Sequence, residues 1–208
     1  MTRLDTTNVK RKKAFLGPLT SRIRNKAAAL AEGSTGRILD AGCGNGLLFA
    51  ALQHCEEAKC FGLDWSRELL DEAREILRKT HASTAQWVRG DMQHPPLKPH
   101  SFDSVFFLNT LLNTPDWATA QQLLQGLMDL CSPGGRLLFD IRNRANPYLR
   151  LKYWWHSRKR TFPTQPYDLA DVRSVLRANG FVISRIESIG VPLKGVALAY
   201  VIEARSIA

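Results

Sequence analysis

The feature that most constrains this chain is a glycine-rich turn, Arg37-Ile-Leu-Asp-Ala-Gly-Cys-Gly-Asn-Gly46, set between a short apolar run and a helix-forming one. Ile38–Ala41 reads as a buried strand and Leu47–Gln53 as a helix. Glycines at 42, 44 and 46 let the backbone turn sharply and approach a ligand without Cβ clashes. A strand entering a helix through such a turn is the opening unit of a parallel sheet that binds ligands at its carboxyl ends. The spacing narrows the ligand class. A dinucleotide loop, G-x-G-x-x-G, would place its third glycine at position 47, which is Leu47. Here the pattern is D-x-G-x-G-x-G, with Asp40 two residues before the first glycine. A carboxylate in that position suits an ammonium group rather than a pyrophosphate.

The rest of the chain continues the alternation. Pro18 starts a helix that carries Ile23, Ala27 and Leu30 at helical spacing, and Gly33 stops it. Cys60–Leu63 is a second strand, with Asp64 at its end. Ser66–Thr80 is an amphipathic helix capped by Ser66, with Leu69, Leu70, Ala73, Ile76 and Leu77 on one face. Ala85–Arg89 and Phe102–Leu108 are further strands, the latter almost wholly apolar, as a strand buried on both faces should be. Asp116–Leu130 is a helix, Ser132–Gly135 a turn, and Arg136–Asp140 a fifth strand. An irregular basic-aromatic insert follows at 142–167. Then come a helix near Asp168–Asn179 and two strands, Phe181–Glu187 and Ala197–Ala204, whose tight connection predicts an antiparallel edge. Five strands with helical crossovers imply an α/β, doubly wound sheet. The expected organisation is a basic helical extension at 1–36 and one catalytic domain at 37–208.

Two further carboxylates extend the glycine turn into a site. Asp64 closes the second strand in Gly62-Leu-Asp-Trp-Ser66, where a carboxylate can accept both hydroxyls of a ribose. Trp65 beside it can pack on an adenine. Asp91, after the third strand in Arg89-Gly-Asp-Met92, can accept from an adenine amine, and Met92 offers a backbone N–H and an apolar wall. Each has a plainer alternative: Asp64 and Asp91 as caps of the following turns, Trp65 as an ordinary surface or core aromatic. Ammonium, ribose and adenine together describe S-adenosylmethionine (SAM).

Residues 37–141 resemble the class I SAM-dependent methyltransferases, in particular the small-molecule enzymes. The resemblance rests on LDAGCGNG, GLDWS, GDMQHPPL, FDSVFFLNTLLN and CSPGGRLLFD, in the family's order. It implies a Rossmann-like sheet of seven strands, order 3-2-1-4-5-7-6, with strand 7 antiparallel and helices on both faces. It also implies SAM as cofactor, contacted by Asp40, Gly42, Gly44, Asp64, Asp91 and the backbone around Leu108-Asn109; Cys43, Trp65 and Met92 join them as candidate contacts from their places in the same turns. No metal is implied.

The acceptor should lie beyond strands four and five. Asn109, Arg142, Asn143 and Arg144 are costly to bury there without a ligand. Arg142 and Arg144 can bind a carboxylate or phosphate bidentately, and Asn143 can orient an acceptor. The plainer alternative is a loop satisfying its own backbone. Tyr148, Tyr153, His156, Tyr167 and Asp168 are candidate bases, His156 weakened by the cations around it. For the insert, a lid, a membrane- or lipid-docking surface, a nucleic-acid contact and an ordinary solvated helix all remain open. The run Leu108-Asn-Thr-Leu111 lacks the (Asp/Asn)-Pro-Pro-(Tyr/Phe) signature of exocyclic-amine methylation of nucleic acids.

Charge bears on partners. The net charge of +10 divides into +6 over 1–36, −4 over 37–140 and +8 over 141–208. Basic flanks around an acidic core favour an anionic partner, whether small substrate, membrane surface or RNA, unless they serve only solubility. Cys43, Cys55, Cys60 and Cys131 form no C-x-x-C pair and complete no zinc site. Reduced thiols are expected, with a Cys55–Cys60 disulfide as the alternative. The basic start lacks an apolar core, so no signal peptide is expected, and a cytoplasmic location follows. The reading is a methyltransferase acting on O or N of a small anionic or lipid-linked acceptor. Its rivals are an RNA methyltransferase, a non-catalytic SAM- or partner-binding module, and an NAD-dependent oxidoreductase.

Overall fold

The computed structural model describes residues 17–52, 55, 57–78, 80, 84–157, 165–190 and 196–207, the side chains of 17, 18, 152, 153 and 155–157 excepted. The strands are Arg37–Ala41 (β1), Lys59–Asp64 (β2), Gln86–Arg89 (β3), Phe102–Phe107 (β4), Cys131–Arg142 (β5), Phe181–Ile189 (β6) and Ala199–Ser206 (β7). The helices are Gly17–Leu30 (α1), Leu47–Ala51 (α2), Arg67–Leu77 (α3), Trp117–Leu130 (α4), Pro147–Ser157 (α5) and Leu169–Ala178 (α6). All seven strands join one sheet in the order β3-β2-β1-β4-β5-β7-β6. Strands β1 to β5 pair in parallel, and β7 runs antiparallel to both β5 and β6. This is the expected sheet, including its reversed strand.

The period of two along the strands sorts side chains into two cores. Leu39, Val105, Phe107, Leu137, Phe139 and Ile202 face α4 and α6, while Ile38, Phe106, Leu138 and Val201 face α1 and α2. Each such side chain, fully buried, contributes roughly 1.5–3 kcal/mol. Helix starts are held by side chains. Ser66 Oγ accepts from the Leu69 N–H at 3.2 Å to start α3, and an Asp116 carboxylate oxygen accepts from the Thr119 N–H at 2.8 Å to start α4. Such caps are worth ~1 kcal/mol each.

Three local expectations are corrected. The turn at Ser132–Gly135 is part of β5, which begins at Cys131 opposite Phe102 and shifts register before Ser104 meets Arg136. Gly134, at φ 71°, absorbs the irregularity as a bulge. The insert is not irregular throughout: α5 occupies Pro147–Ser157. Asn146 Oδ1 accepts from the Leu149 N–H at 3.0 Å, so Asn146 caps this helix, with Pro147 in the first-turn position that suits proline. The β6–β7 connection runs from residue 190 to 198, longer than a tight turn. All four cysteines are buried free thiols, so Cys55 and Cys60 form no disulfide. Among the described residues no helix is long and apolar enough to cross a membrane.

Candidate active site

The glycine turn closes on the end of β2. The N–H groups of Gly42 and Cys43 both donate to the Leu63 carbonyl, at 2.8 and 3.1 Å. The Asp64 carboxylate then clamps two backbone segments. One oxygen accepts from Gly44 N–H at 2.8 Å, the other from Ser66 N–H at 2.9 Å. Asp64 therefore does cap its own turn, and it also ties that turn to the glycine loop. Gly42, Gly44 and Gly46 all adopt positive φ, at 74°, 53° and 74°. Their roles differ. A Cβ at Gly46 would press on Leu77, Trp87 and Ala73, so that glycine seats the loop on α3 and β3. A Cβ at Gly42 would come within 2.9 Å of Thr110 Oγ1 and 3.2 Å of Met92 Sδ. At Gly44 a Cβ would meet nothing within 4 Å among the described residues, so one side of the backbone is open to a ligand.

Electrostatics give the opening its preference. Asp40 is 3% exposed. Burial, with the neighbouring Asp64 charge, pushes its carboxyl up to about 8, and Arg24 of α1 pulls it part of the way back. The repulsion between Asp40 and Asp64 favours a further cation beside them. Burial also drives the Cys43 thiol far above its ordinary range, with Asp40 and Asp64 adding to the effect. The Cys43 backbone holds the turn, its N–H donating to the Leu63 carbonyl and its carbonyl accepting from the Gly46 N–H at 3.0 Å.

The other expected residues are distributed around this opening. Trp65 is 55% exposed, and its carbonyl accepts from Arg89 Nε at 3.2 Å. Asp91 is exposed and accepts from the Gln93 N–H at 2.9 Å. Met92 is half-buried beside Gly42, and Leu108 is buried at the end of β4.

At the ends of β4 and β5 the structure corrects the sequence reading. Arg142 does not face an acceptor: it is 0% exposed and paired through Nη1 with Asp140. Its Nη2 donates to Asn109 Oδ1 at 3.0 Å, and its Nε has no hydrogen-bond partner among the described residues. Burial pushes the Asp140 carboxyl up, while Arg142 and the Asn109 N–H pull it down. Asp140 also accepts from that N–H. Asn109 is thereby held at φ 57°, a left-handed conformation that asparagine tolerates, and its Nδ2 reaches the Thr20 carbonyl of α1 at 3.5 Å. Arg144 parts company with Arg142. It is exposed and lies 3.6 Å from Asp168, so the two arginines form no joint anion clamp. Asn143 is buried, donates to the Ala197 carbonyl at 3.0 Å and accepts from the Ala145 N–H at 3.0 Å. It fastens the loop to the β6–β7 connection and orients no acceptor. Tyr167 is buried against Thr114 and donates to the Leu111 carbonyl, with burial raising its phenol, so it is no base. The side chains of Tyr153 and His156 lie outside the described residues.

The sequence reading missed Thr110, Arg24, Thr20 and Asp140. Only Asp140 left a local signal. It sits two residues before Arg142, and residues i and i+2 of a strand share a face. A polar cavity of about 340 Å³ opens among residues including Glu32–Thr35, Asp103, Ser104 and Arg136, outside the glycine-loop site. Arg136 is already engaged there by Ser104, Ser34, the Leu30 carbonyl and Glu203.

Comparison with known proteins agrees with this geometry. A family model described as a methyltransferase domain matches residues 38–135. The chain is 31% identical over 164 residues to a demethylmenaquinone methyltransferase of Lactobacillus johnsonii, covering 77% of this chain and 60% of that protein. It is 31% identical over 109 residues to a ubiquinone biosynthesis O-methyltransferase of Vibrio cholerae, covering 52% of this chain and 42% of that one. The chain thus spans roughly half the length of these curated relatives. Among solved structures, the magnesium protoporphyrin IX methyltransferase of Synechocystis with bound SAH superposes with a TM-score of 0.68 at 20% identity, over 91% of this chain and 82% of that one.

Proposed function

We propose that the protein is a class I SAM-dependent methyltransferase, a reading supported by the match of residues 38–135 to a methyltransferase domain and by the sheet order, and that it transfers a methyl group from SAM to an oxygen or nitrogen of a small, lipid-linked acceptor. One observation carries the donor side: a buried carboxyl, Asp40, pushed up to about 8 beside a second carboxylate at an open-sided glycine loop. SAM brings the missing positive charge. Asp40 would hold its ammonium and Asp64 its ribose hydroxyls. Asp91 and Met92 would line its adenine, the open side of Gly44 would admit it, and Trp65 would flank it. Leu108 and Asn109 would lie along its methionine portion.

When bound, SAM supplies a methyl group on a positively charged sulfur, a leaving group that needs no acid. The chain's own contribution is placement. The Asp140–Arg142 pair would act through Asn109, holding the turn after β4 in one conformation. A phenol acceptor must lose its proton, to a base or to water. Residues Tyr148, Tyr153 and His156 of α5 remain candidates for that base or for acceptor contact.

The lipid-linked class is supported by the quinone-related names of the two relatives. The loss of the Arg142–Arg144 clamp removes the main argument for a small anion. The test is transfer of isotope-labelled methyl from SAM to prenylated phenols, soluble phenols, short carboxylates and RNA, alongside thermal shifts. Stabilisation by S-adenosylhomocysteine with transfer to prenylated phenols is expected. Stabilisation by NAD instead, or transfer to RNA alone, would overturn the reading; cofactor binding without transfer to anything would make the protein a binding module.

A further inference from the structure

We propose that Arg24 of α1 anchors the carboxylate of the methyl donor's amino-acid portion, so that the donor site includes a helix outside the residues 38–135 that match a methyltransferase domain. The proposal rests on the SAM reading above and deepens it. SAM carries an ammonium and a carboxylate on one carbon. Asp40 would account for the ammonium. The carboxylate, entering beside Asp40 and Asp64, would meet two like charges unless a cation stands with them. That cation must lie next to Asp40, because the two ligand charges are neighbours.

Helix geometry puts Arg24 there. Leu19, Ile23 and Ala27 bury one side of α1 in the core that holds Ile38, Leu108 and Leu138. Thr20 and Arg24, four residues apart, are neighbours on the helix surface. The Thr20 carbonyl accepts from Asn109 Nδ2 at 3.5 Å, which sets this part of α1 at the end of β4. One turn on, the charge of Arg24 acts on Asp40 of β1. β1 and β4 are adjacent strands, with Asp40 level with Phe106. Arg24 therefore stands beside both strand ends, where Leu108 and Asn109 would meet the methionine portion.

Arg24 is also unclaimed by the protein. It is half-buried, yet among the described residues it makes no hydrogen bond and no ion pair. A guanidinium partly withdrawn from water gains from an acceptor, and a carboxylate binds its fork through two N–H groups at once. Other cations are engaged elsewhere. Arg142 is sealed in and held by Asp140 and Asn109, Arg89 donates to the Trp65 carbonyl, and Lys26 pairs with Glu187 on β6. With SAM in place the charges would alternate: Arg24, ligand carboxylate, ligand ammonium, Asp40.

The experiment compares SAM with decarboxylated SAM, which keeps the sulfonium, ribose, adenine and ammonium and lacks only the carboxylate. Calorimetry gives the affinity of each for the full chain as wild type, Arg24→Gln and Arg24→Lys. Wild type should prefer SAM by ~10–100-fold, the worth of a charge-assisted pair. Arg24→Gln should bring that ratio close to one, and Arg24→Lys, which keeps the charge without the fork, should leave it between the two. Any effect of the lost charge on Asp40 acts on both ligands through the ammonium and cancels in the ratio. Methylthioadenosine, which has no amino-acid portion, should bind wild type and Arg24→Gln equally, as a merely structural role for Arg24 would not allow. Should Arg24→Gln not fold, the wild-type preference and its reduction in Arg24→Lys decide the matter. No preference for SAM in wild type, or a preference that survives intact in Arg24→Gln, would overturn the proposal and leave the methyltransferase reading standing. Wild type that binds neither donor would overturn both.

Discussion

Replacing Asp40 by Asn separates what this carboxyl costs the empty protein from what it gives the loaded one. Burial and the Asp64 charge raise its folded-state value from 3.8 to about 8. The folded state thus keeps a proton that the unfolded chain releases. Its contribution to stability should be greatest below the ordinary carboxyl range, fall as pH rises toward 8, and level off above. The slope cannot exceed ~1.4 kcal/mol per pH unit, the value for one proton. Asp40→Asn removes this slope, so the free variant should be as stable as wild type near pH 4 and more stable by several kcal/mol above pH 8. With a cationic ligand the order reverses. Wild type should release close to one proton on binding SAM at pH 7, seen as a binding enthalpy that changes with the ionisation heat of the buffer. The variant should release none. It should also bind ~10–100-fold more weakly, the worth of a charge-assisted hydrogen bond. Urea melts from pH 4 to 9 and calorimetry in two buffers supply both readouts. A variant less stable than wild type at pH 8, or buffer-independent binding by wild type, would refute the reasoning.

Two further substitutions probe the scaffold. Arg142→Ala should lower stability by ~3–5 kcal/mol in chemical denaturation, because it leaves Asp140 buried and uncompensated, whereas Asp140→Leu combined with Arg142→Met should recover most of that loss. Gly46→Ala places a Cβ about 3 Å from Leu77, Trp87 and Ala73 at φ 74°, and should cost ~1–3 kcal/mol, read as a lowered melting temperature, with weaker SAM binding in calorimetry.

Much of the fold was legible because local patterns agree with the global one. The Asp-x-Gly-x-Gly-x-Gly turn, the Ser66 and Asp116 caps and the apolar β4 each state their own geometry within a few residues. Where the reading failed, the deciding partner was distant or masked by a stronger rule. The Pro-Gly-Gly run reads as a turn, but Cys131 pairs with Phe102 across the sheet and draws it into β5. The cations and aromatics of α5 hide its period, although Asn146-Pro147 was a usable start signal. Arg142 at a strand end looked like a ligand-binding group. Its partner was two residues away on the same face, and Asn109, thirty-three positions upstream, completes the set. No local rule links α1 to Asp40, because that contact exists only once the sheet is assembled.

That last contact has a consequence for how the protein comes into being. α1 is the first described element to leave the ribosome, yet Leu19, Ile23 and Ala27 share a core with Leu138, Ile189, Ala199 and Val201. Lys26 lies 3.4 Å from Glu187, and the Leu30 carbonyl takes a hydrogen bond from Arg136. The packing of α1 must therefore wait for β6 and β7. Arg24, which tempers Asp40, arrives at the site only with them. Chains lacking β6 and β7 should carry the whole glycine loop and still bind cofactor poorly, so that methyl-donor affinity works as a report that these two strands have docked.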